Sequence, residues 1–303
     1  MRELAIYCLP ALSLEERLTL CSSSLDTDAI LTHAYEYLNR QSRWPLKEVE
    51  KEFLKLLEWR AQNDNCVVTY KDQNYPPLLR TIEDAPFLLT YRGSLELKGI
   101  PLTIVGTNNP SRASEEAAFK LALECGSANG FVISALERGI SSAVHGGSYA
   151  IKRGSWALLP FGLDKLSKGV FSRVDQILAH RGAIISEFQP HLKATQKHFC
   201  YRNRLLAAIS PVTVIIDENR RSTASVTAEY ALDYGRSVVV HSAEKESIGS
   251  ALFINDGAAV VAWLGDIEKA TKIAFNAHLR AIEAPREGPY YYRNRGFRLV
   301  TAL

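Results

Sequence analysis

Residues 102–134 read LTIVGTNNPSRASEEAAFKLALECGSANGFVIS, and this stretch indicates the fold more clearly than the rest of the chain. It begins with an apolar run at 102–105 that ends in Gly106, and residues 113–124 then read as a helix. A second apolar run follows at 131–134. Short apolar strands separated by a helix are typical of a βαβ unit, whose two strands lie parallel in one sheet.

The same alternation continues outward from this unit as far as about residue 264. Further strands are predicted at 67–70, 87–91, 156–159, 183–186, 212–216, 237–240 and 258–263. Further helices are predicted at 141–152, 167–180, 203–208, 225–234 and 248–255. We therefore predict an α/β fold with a Rossmann-like, doubly wound, mostly parallel sheet. In such sheets ligands bind beyond the carboxyl ends of the strands, so the loops there are the place to seek a site.

The chain divides into three segments by composition. Residues 1–64 carry apolar side chains at helical spacing and are predicted to form an N-terminal helical module. Residues 65–265 form the predicted Rossmann-like domain, and residues 266–303 a C-terminal tail. The tail contains Tyr290-Tyr291-Tyr292-Arg293-Asn294-Arg295, a mixture that suits base stacking and phosphate pairing but equally a segment docked on the body.

The overall composition narrows the function classes. Of 303 residues, 47% are hydrophobic and 23% charged, which excludes disordered and collagen-like proteins. The net charge of +3 is small, so any nucleic-acid role must depend on local clusters of Lys and Arg. Five cysteines without a C-x-x-C pair favour a reducing cytoplasm over a zinc site or disulfides. No apolar run approaches a membrane span, and we expect neither a metal nor a cofactor.

The loops after the strands at 102–105 and 131–134 suit an anion. The candidate phosphate-pocket residues in them are Gly106, Thr107, Asn108, Ser111, Ser134 and Gly139. Glycine lets the backbone approach a ligand, and a helix N-terminus offers N–H groups to it. The first loop lacks the G-x-G-x-x-G pattern, which disfavours an ordinary NAD site. Arg138 suits a phosphate contact, whereas His145 is either near the same strand ends or a packing residue.

The segment 186–204 is rich in cations and aromatic rings. It holds Lys193, Lys197, His198, Arg202 and Arg204, with Phe199 and Tyr201 interleaved. Cations neutralise phosphates and aromatic faces stack bases, which is how proteins bind single strands. We expect these cations to be exposed in a loop, with Asn203 either in the site or capping the helix that follows.

The loop after the strand at 212–216 is a further candidate. Arg220 and Arg221 follow that strand and precede the hydroxyl of Ser222 at a helix start. This arrangement suits phosphate binding, although Ser225 and Thr227 would also serve as helix caps. Four strand-end loops thus carry anion-compatible chemistry, and the predicted topology brings them together.

These loops, in this order, resemble the DprA/Smf DNA-processing family. The family core reads V-G-S-R-x-x-S, S-G-x-A-x-G-I-D-x-x-A-H, S-E-x-P-P, F-P-x-R-N-R and R-S-G-S-L-x-T-A. The counterparts here lie at 105–111, 134–145, 186–190, 199–204 and 221–228. The resemblance spans about residues 65–262, and Phe199 with Arg202-Asn203-Arg204 is its sharpest part.

The sequence also departs from the family pattern. Asn108 stands where the first loop has arginine, Ala135 where the second has glycine, and Ser141 where it has aspartate. Cys200 replaces the proline after Phe199, and Thr223 replaces a glycine. These changes affect the ligand pocket more than the scaffold.

The resemblance implies sequence-independent binding of single-stranded DNA, loading of a RecA-type recombinase during natural transformation, and a homodimer. It implies no catalysis. Together with the residue chemistry, it gives as DNA contacts Arg138, His145, Lys197, Phe199, Arg202, Asn203, Arg204, Arg220, Arg221 and Ser222. No nucleophile–base constellation is recognisable in the sequence.

Two alternatives stay open. One is a nucleotide-binding enzyme similar to nucleoside-monophosphate phosphoribohydrolases, but Gly146-Gly147 lacks the glutamate that follows the paired glycines in such enzymes. The other is a structural paralogue without DNA affinity, because Asn108 has replaced a cation.

Overall fold

The computed structural model describes residues 1–41, 44–62, 64–216, 223–241 and 248–273, and these contain nine strands in one sheet. The strands are β1 (Cys66–Thr69), β2 (Leu88–Gly93), β3 (Pro101–Gly106), β4 (Phe131–Ser134), β5 (Ser155–Leu158), β6 (Ala183–Ser186), β7 (Val212–Ile216), β8 (Ser237–His241) and β9 (Ala259–Val261). The helices are α1 (Arg2–Cys8), α2 (Leu14–Ser22), α3 (Thr27–Tyr37), α4 (Leu46–Ala61), α5 (Arg112–Ser127), α6 (Ile140–Ala150), α7 (Phe171–Ala179), α8 (Gln196–Ala208), α9 (Thr223–Asp233), α10 (Ile248–Asn255) and α11 (Leu264–Thr271). Short 3-10 turns lie at Pro77–Thr81, Leu163–Lys165 and Lys168–Val170.

The strand order is β1-β2-β6-β5-β4-β3-β7-β8-β9. All pairs from β6 to β9 are parallel, while β1 and β2 add to the β6 edge antiparallel. β3 lies between β4 and β7, so the chain winds outward from β3 first to one side and later to the other. This confirms the predicted Rossmann-like, doubly wound, mostly parallel sheet. The switch of direction lies between β3 and β7.

The central strands are apolar because both of their faces are covered. All four residues of β4 are buried, and Ile133 and Val132 belong to hydrophobic clusters on opposite faces. One face packs against α8 and α9, and the other against α5 and α6. A strand buried on both sides reads as a continuous apolar run, which is why the sequence located these strands well.

Residues 1–61 contain the four helices α1 to α4, as their apolar spacing predicts. Ser13 and Glu16 form a capping box at the start of α2. The apolar faces of these helices share one hydrophobic cluster with Leu88 of β2 and Ile184 of β6. Trp59 Nε1 also donates to Asp164 Oδ1 at 3.0 Å, which joins α4 to the loop after β5. Whether 1–64 is a domain of its own stays a prediction.

Two helices start four or more residues away from their predicted positions. α8 begins at Gln196, seven residues before the predicted start, with Thr195 and His198 forming a capping box. The sequence signal was missed because the first two turns are polar and basic instead of apolar at helical spacing. α7 begins at Phe171 instead of 167. In the described part of the chain, none of the helices has the length and apolar character needed to cross a membrane. The aromatic-basic sequence of the tail lies outside the described residues.

Candidate nucleic-acid interface

A small pocket opens at the switch point, beyond the carboxyl ends of β3 and β4. It is lined by Val105, Gly106, Asn108, Ala135, Glu137, Ser141, Arg202, Asn203, Leu206, Ala224 and Thr227. The pocket volume is about 20 Å³, enough for a single water molecule. The loops after β3 and β4, the N-terminal turns of α6 and α9, and the middle of α8 therefore meet at one point, as the topology predicts.

Two predicted glycines allow this close meeting of loops. Gly139 has a φ of +75°, and a Cβ there would lie 2.6 Å from the carbonyl oxygen of Thr107. A Cβ on Gly106 would lie 2.1 Å from the carbonyl oxygen of Ile216. Both contacts are far too short, so the loops after β3 and β4, and the ends of β3 and β7, approach this closely only because these positions carry no side chain.

Of the six predicted pocket residues, Gly106 and Asn108 line the pocket. Ser134 is buried below it, where its hydroxyl donates to the carbonyl of Ile104 at 2.7 Å. Thr107 accepts the Ile140 N–H at 3.2 Å, and Ser111 caps α5 by accepting the Ser114 N–H at 3.1 Å. These three residues and Gly139 shape the loops around the pocket.

His145 is fully buried, so the expectation that it contacts DNA needs correction. Its Nε2 lies 2.7 Å from the carbonyl oxygen of Ala135, and its Nδ1 lies 2.8 Å from the Ser155 hydroxyl. Burial lowers the pKa of His145 to about 4. The neutral ring thus donates to the loop after β4 and accepts from β5, which fixes that loop and corresponds to the packing alternative.

Arg202 is also buried, with only 2% of its surface exposed. Its two terminal nitrogens contact the Glu137 carboxylate at 2.8 and 3.3 Å, and one of them also donates to the Leu158 carbonyl at 2.8 Å. Its Nε donates to Asn203 Oδ1 at 2.9 Å. The expectation of an exposed loop arginine is therefore wrong, because Arg202 lies within α8 and joins that helix to the loop after β4 and to the end of β5.

Arg204 requires the same correction, whereas Asn203 lines the pocket, as one of its two alternatives expected. Arg204 contacts Glu187 Oε2 at 2.5 Å and Asp84 Oδ2 at 3.1 Å, and 6% of it is exposed. Burial raises the pKa of Glu187 to about 7, and the charge of Arg204 opposes that shift. Asn203 is buried in the middle of α8, so it does not cap the helix.

The exposed predicted cations lie in the segments that follow β4 and β6, at the carboxyl edge of the sheet. Arg138 is exposed in the loop after β4, and Lys193 and Lys197 are exposed beside the start of α8. Phe199 is half-buried, with its ring 5.9 Å from the Arg202 guanidinium. Tyr201 is 55% exposed on the same helix. Arg220, Arg221 and Ser222 lie outside the described residues.

The loop after β5 belongs to the same edge and was missed in the sequence. Lys165 and Lys168 are exposed there, and Phe171 at the start of α7 is 46% exposed. Arg173 donates to the carbonyls of Leu136 and Glu137 at 2.7 and 3.1 Å, which fastens α7 to the loop after β4. A basic and an aromatic residue close together after a strand, Lys168 and Phe171, could have indicated this part of the site. They were missed because the sequence prediction placed both residues inside a helix.

Comparisons with known proteins agree with this arrangement. The family model of DNA recombination-mediator protein A matches residues 66–272. The chain is 28% identical over 185 residues to DNA processing protein DprA of Bacillus subtilis, covering 60% of this chain and 62% of that protein. It is 28% identical over 214 residues to protein Smf of Escherichia coli, covering 70% of this chain and 57% of that one. The chain thus spans about three fifths of the length of these curated relatives.

Two solved structures share the fold. DprA of Streptococcus pneumoniae superposes with a TM-score of 0.65 and 22% identity, covering 89% of this chain and 93% of that one. DprA of Helicobacter pylori, described for its single-stranded DNA binding mode, superposes with a TM-score of 0.55 and 22% identity, covering 63% and 87%. The family match over residues 66–272 confirms the resemblance carried by the strand-end loops: this chain belongs to the DNA recombination-mediator protein A family.

Proposed function

We propose that this protein binds single-stranded DNA without sequence preference along the carboxyl edge of its sheet. The observation that supports this most is the row of exposed side chains on consecutive strand-end loops. From β6 to β4 the row consists of Lys193, Lys197, Lys165, Lys168, Phe171 and Arg138. We call this set the basic edge.

The basic edge has the chemistry that a single strand requires. Its lysines and arginine neutralise phosphates and release counterions, and the exposed ring of Phe171 offers a face on which a base stacks. Strands in a sheet lie about 4.8 Å apart, so the row from β6 to β4 extends over roughly 10 Å.

The buried motif residues act differently in this proposal. His145, Arg202 and Arg204 hold the loops after β4, β5 and β6 in place, and the basic edge is carried on those loops. Of these three, His145 and Arg204 support binding through position only, whereas Arg202 also lines the pocket at the switch point.

A binding role without catalysis fits the pocket better than phosphoribohydrolase chemistry does. A volume of about 20 Å³ does not admit a nucleoside monophosphate unless surrounding side chains move. Gly146 and Gly147 lie inside α6, so they do not form a phosphate loop. A Cβ added at either position would contact Phe119.

Family membership further supports a role in DNA processing during transformation, with a RecA-type recombinase as partner. A homodimer would place two basic edges on one strand, and their combined avidity would exceed that of one weak edge. Light scattering with and without oligonucleotide tests the dimer, and a pull-down of purified RecA on DNA-loaded protein tests the partner.

The central experiment is a titration of labelled oligonucleotides. We expect tighter binding of a single strand than of the matched duplex, and an affinity that falls steeply with salt. A parallel assay for ribose-phosphate release from nucleoside monophosphates tests the enzymatic alternative. Equal affinity for duplex, or binding indifferent to salt, would contradict the proposal.

A further inference from the structure

The pocket at the switch point contains an ion pair in an unusual position. Glu137 and Arg202 both line it, and two nitrogens of Arg202 face the two carboxylate oxygens. The Arg202 side chain is 3% exposed, whereas the Glu137 side chain is 21% exposed. The cation is therefore the inner partner, and the carboxylate lies between it and solvent.

The surroundings of the pair favour an anion. Ser141 lies in the first turn of α6, and Ala224 and Thr227 lie in the first turns of α9, so two helix N-termini adjoin the pocket. Helix N-termini carry partial positive charge. Among the described residues that line the pocket, Glu137 has the only carboxylate. A positive site is thus occupied by a negative group from the protein itself.

The two partners differ in how firmly they are held. Arg202 retains its bonds to the Leu158 carbonyl and the Asn203 side chain when Glu137 is ignored. The main chain at Glu137 is fixed by Arg173, but its side chain has rotatable bonds and reaches solvent. Rotation of one side chain would therefore expose a positioned guanidinium without disturbing the loop.

We propose that the Glu137 carboxylate occupies a phosphate subsite and competes with phosphate for Arg202. Both anions present two oxygens to the same fork of guanidinium nitrogens, so one can replace the other. The ligand class is a phosphate group, from a DNA backbone or from a small phosphorylated molecule. Only the choice of DNA as its source rests on the proposed function.

The test compares wild-type protein, Glu137→Gln and a control, Glu36→Gln, which removes the same charge from an exposed position on α3. Thermal unfolding is measured in a series of inorganic phosphate concentrations, with chloride at equal ionic strength as reference. Phosphate should raise the Tm of Glu137→Gln by about 2–4 °C more than that of either other protein, since it restores a partner to Arg202. The Kd for a single-stranded oligonucleotide should fall about tenfold in Glu137→Gln alone.

A second variant covers the case in which Glu137→Gln does not fold. Glu137→Asp keeps the charge but is shorter by one methylene group, and it should show a smaller gain with phosphate of the same sign. An equal phosphate response in all the folded proteins would overturn the inference.

The two proposals fail in different ways. If phosphate stabilises Glu137→Gln but none of the proteins binds oligonucleotide, the subsite stands and its ligand is a small phosphorylated molecule. If all bind oligonucleotide with the same Kd and phosphate has no selective effect, DNA binding stands and the subsite does not.

Discussion

Both halves of α8 carry cationic side chains, but these side chains are exposed in the first half and buried in the second. Its first turns present Lys197 and Tyr201 to solvent, while the next residues, Arg202 and Arg204, are buried in ion pairs. From the sequence alone, the three cations Lys197, Arg202 and Arg204 would all be assigned to phosphate binding. The difference teaches that the motif arginines already have carboxylate partners within the protein, whereas the exposed lysines are placed to meet a ligand directly.

The first prediction tests this division with its largest expected effect. Arg202→Ala removes the partner of Glu137 and the bonds to Leu158 and Asn203, and breaking a buried pair in this way costs about 3–5 kcal/mol. Urea denaturation should show this loss of unfolding free energy. Lys197→Ala, the exposed control on the same helix, should change it by less than about 0.5 kcal/mol. If both variants lost the same unfolding free energy, the buried and the exposed cations of α8 would contribute equally to stability, and the comparison would fail.

The second prediction concerns the buried histidine. The pKa of His145 is lowered from 6.5 to about 4, so the folded state binds fewer protons than the unfolded state between these values. The contribution of the neutral ring to the unfolding free energy is complete above pH 6.5 and is lost as the pH falls through 4. It amounts to about 3 kcal/mol. Unfolding free energies measured from pH 7 to 4 should show this acid loss in wild type but not in His145→Gln.

Glu187 acts in the opposite direction, because its raised pKa gives stability that is lost as the pH rises through about 7. Since Glu187 is present in both proteins, the difference between them isolates His145. His33→Gln, on an exposed position of α3, serves as the control and should keep the acid loss. Identical pH profiles for wild type and His145→Gln would show that the ring is not held neutral.

The third prediction sharpens the exposed side of the comparison. Phe171→Ala should weaken single-strand binding by about 1–3 kcal/mol, the usual contribution of one stacked base. The unfolding free energy should change little, because nearly half of the ring is already in water. Tyr37→Ala removes a similarly exposed ring from α3, a helix that contributes no residue to the basic edge, and should bind oligonucleotide as wild type does. If both variants lost affinity for the oligonucleotide, the loss would not be specific to the position of Phe171.

The fourth prediction has the smallest effect. Asn108→Arg places a cation on the exposed loop after β3, where the family pattern has one. One added phosphate contact should steepen the plot of log Kd against log salt by about 0.7. Ser127→Arg adds the same charge at the exposed end of α5, which precedes the amino end of β4 and so lies at the opposite edge of the sheet, and it should leave the slope unchanged. A slope unaffected by Asn108→Arg would place the DNA away from this loop.

The sequence predicted the sheet better than the site, and particular strands show why. β4, β6 and β7 have the predicted bounds, because a short apolar run buried on both faces is specified locally. The antiparallel addition of β1 and β2 to β6 was not predicted, since their pairing depends on a strand about a hundred residues later.

The burial of the motif arginines could not be predicted from their neighbours. Glu137 lies 65 positions before Arg202, and Glu187 lies 17 before Arg204. A local window around α8 contains no acidic residue that would reveal either pair. Only the folded topology brings these carboxylates to the helix and leaves Lys197 in water.

The hydrophobic cluster under α1 to α4 has a consequence for synthesis on the ribosome. It includes Leu4 and Phe53, yet also Val174 and Ile184, which follow α4 by more than a hundred residues. At translation rates of about 5–20 residues per second, the early helices wait roughly ten seconds for those partners. During that interval part of their apolar surface is uncovered in the nascent chain, so a segment made before the sheet is completed only after it.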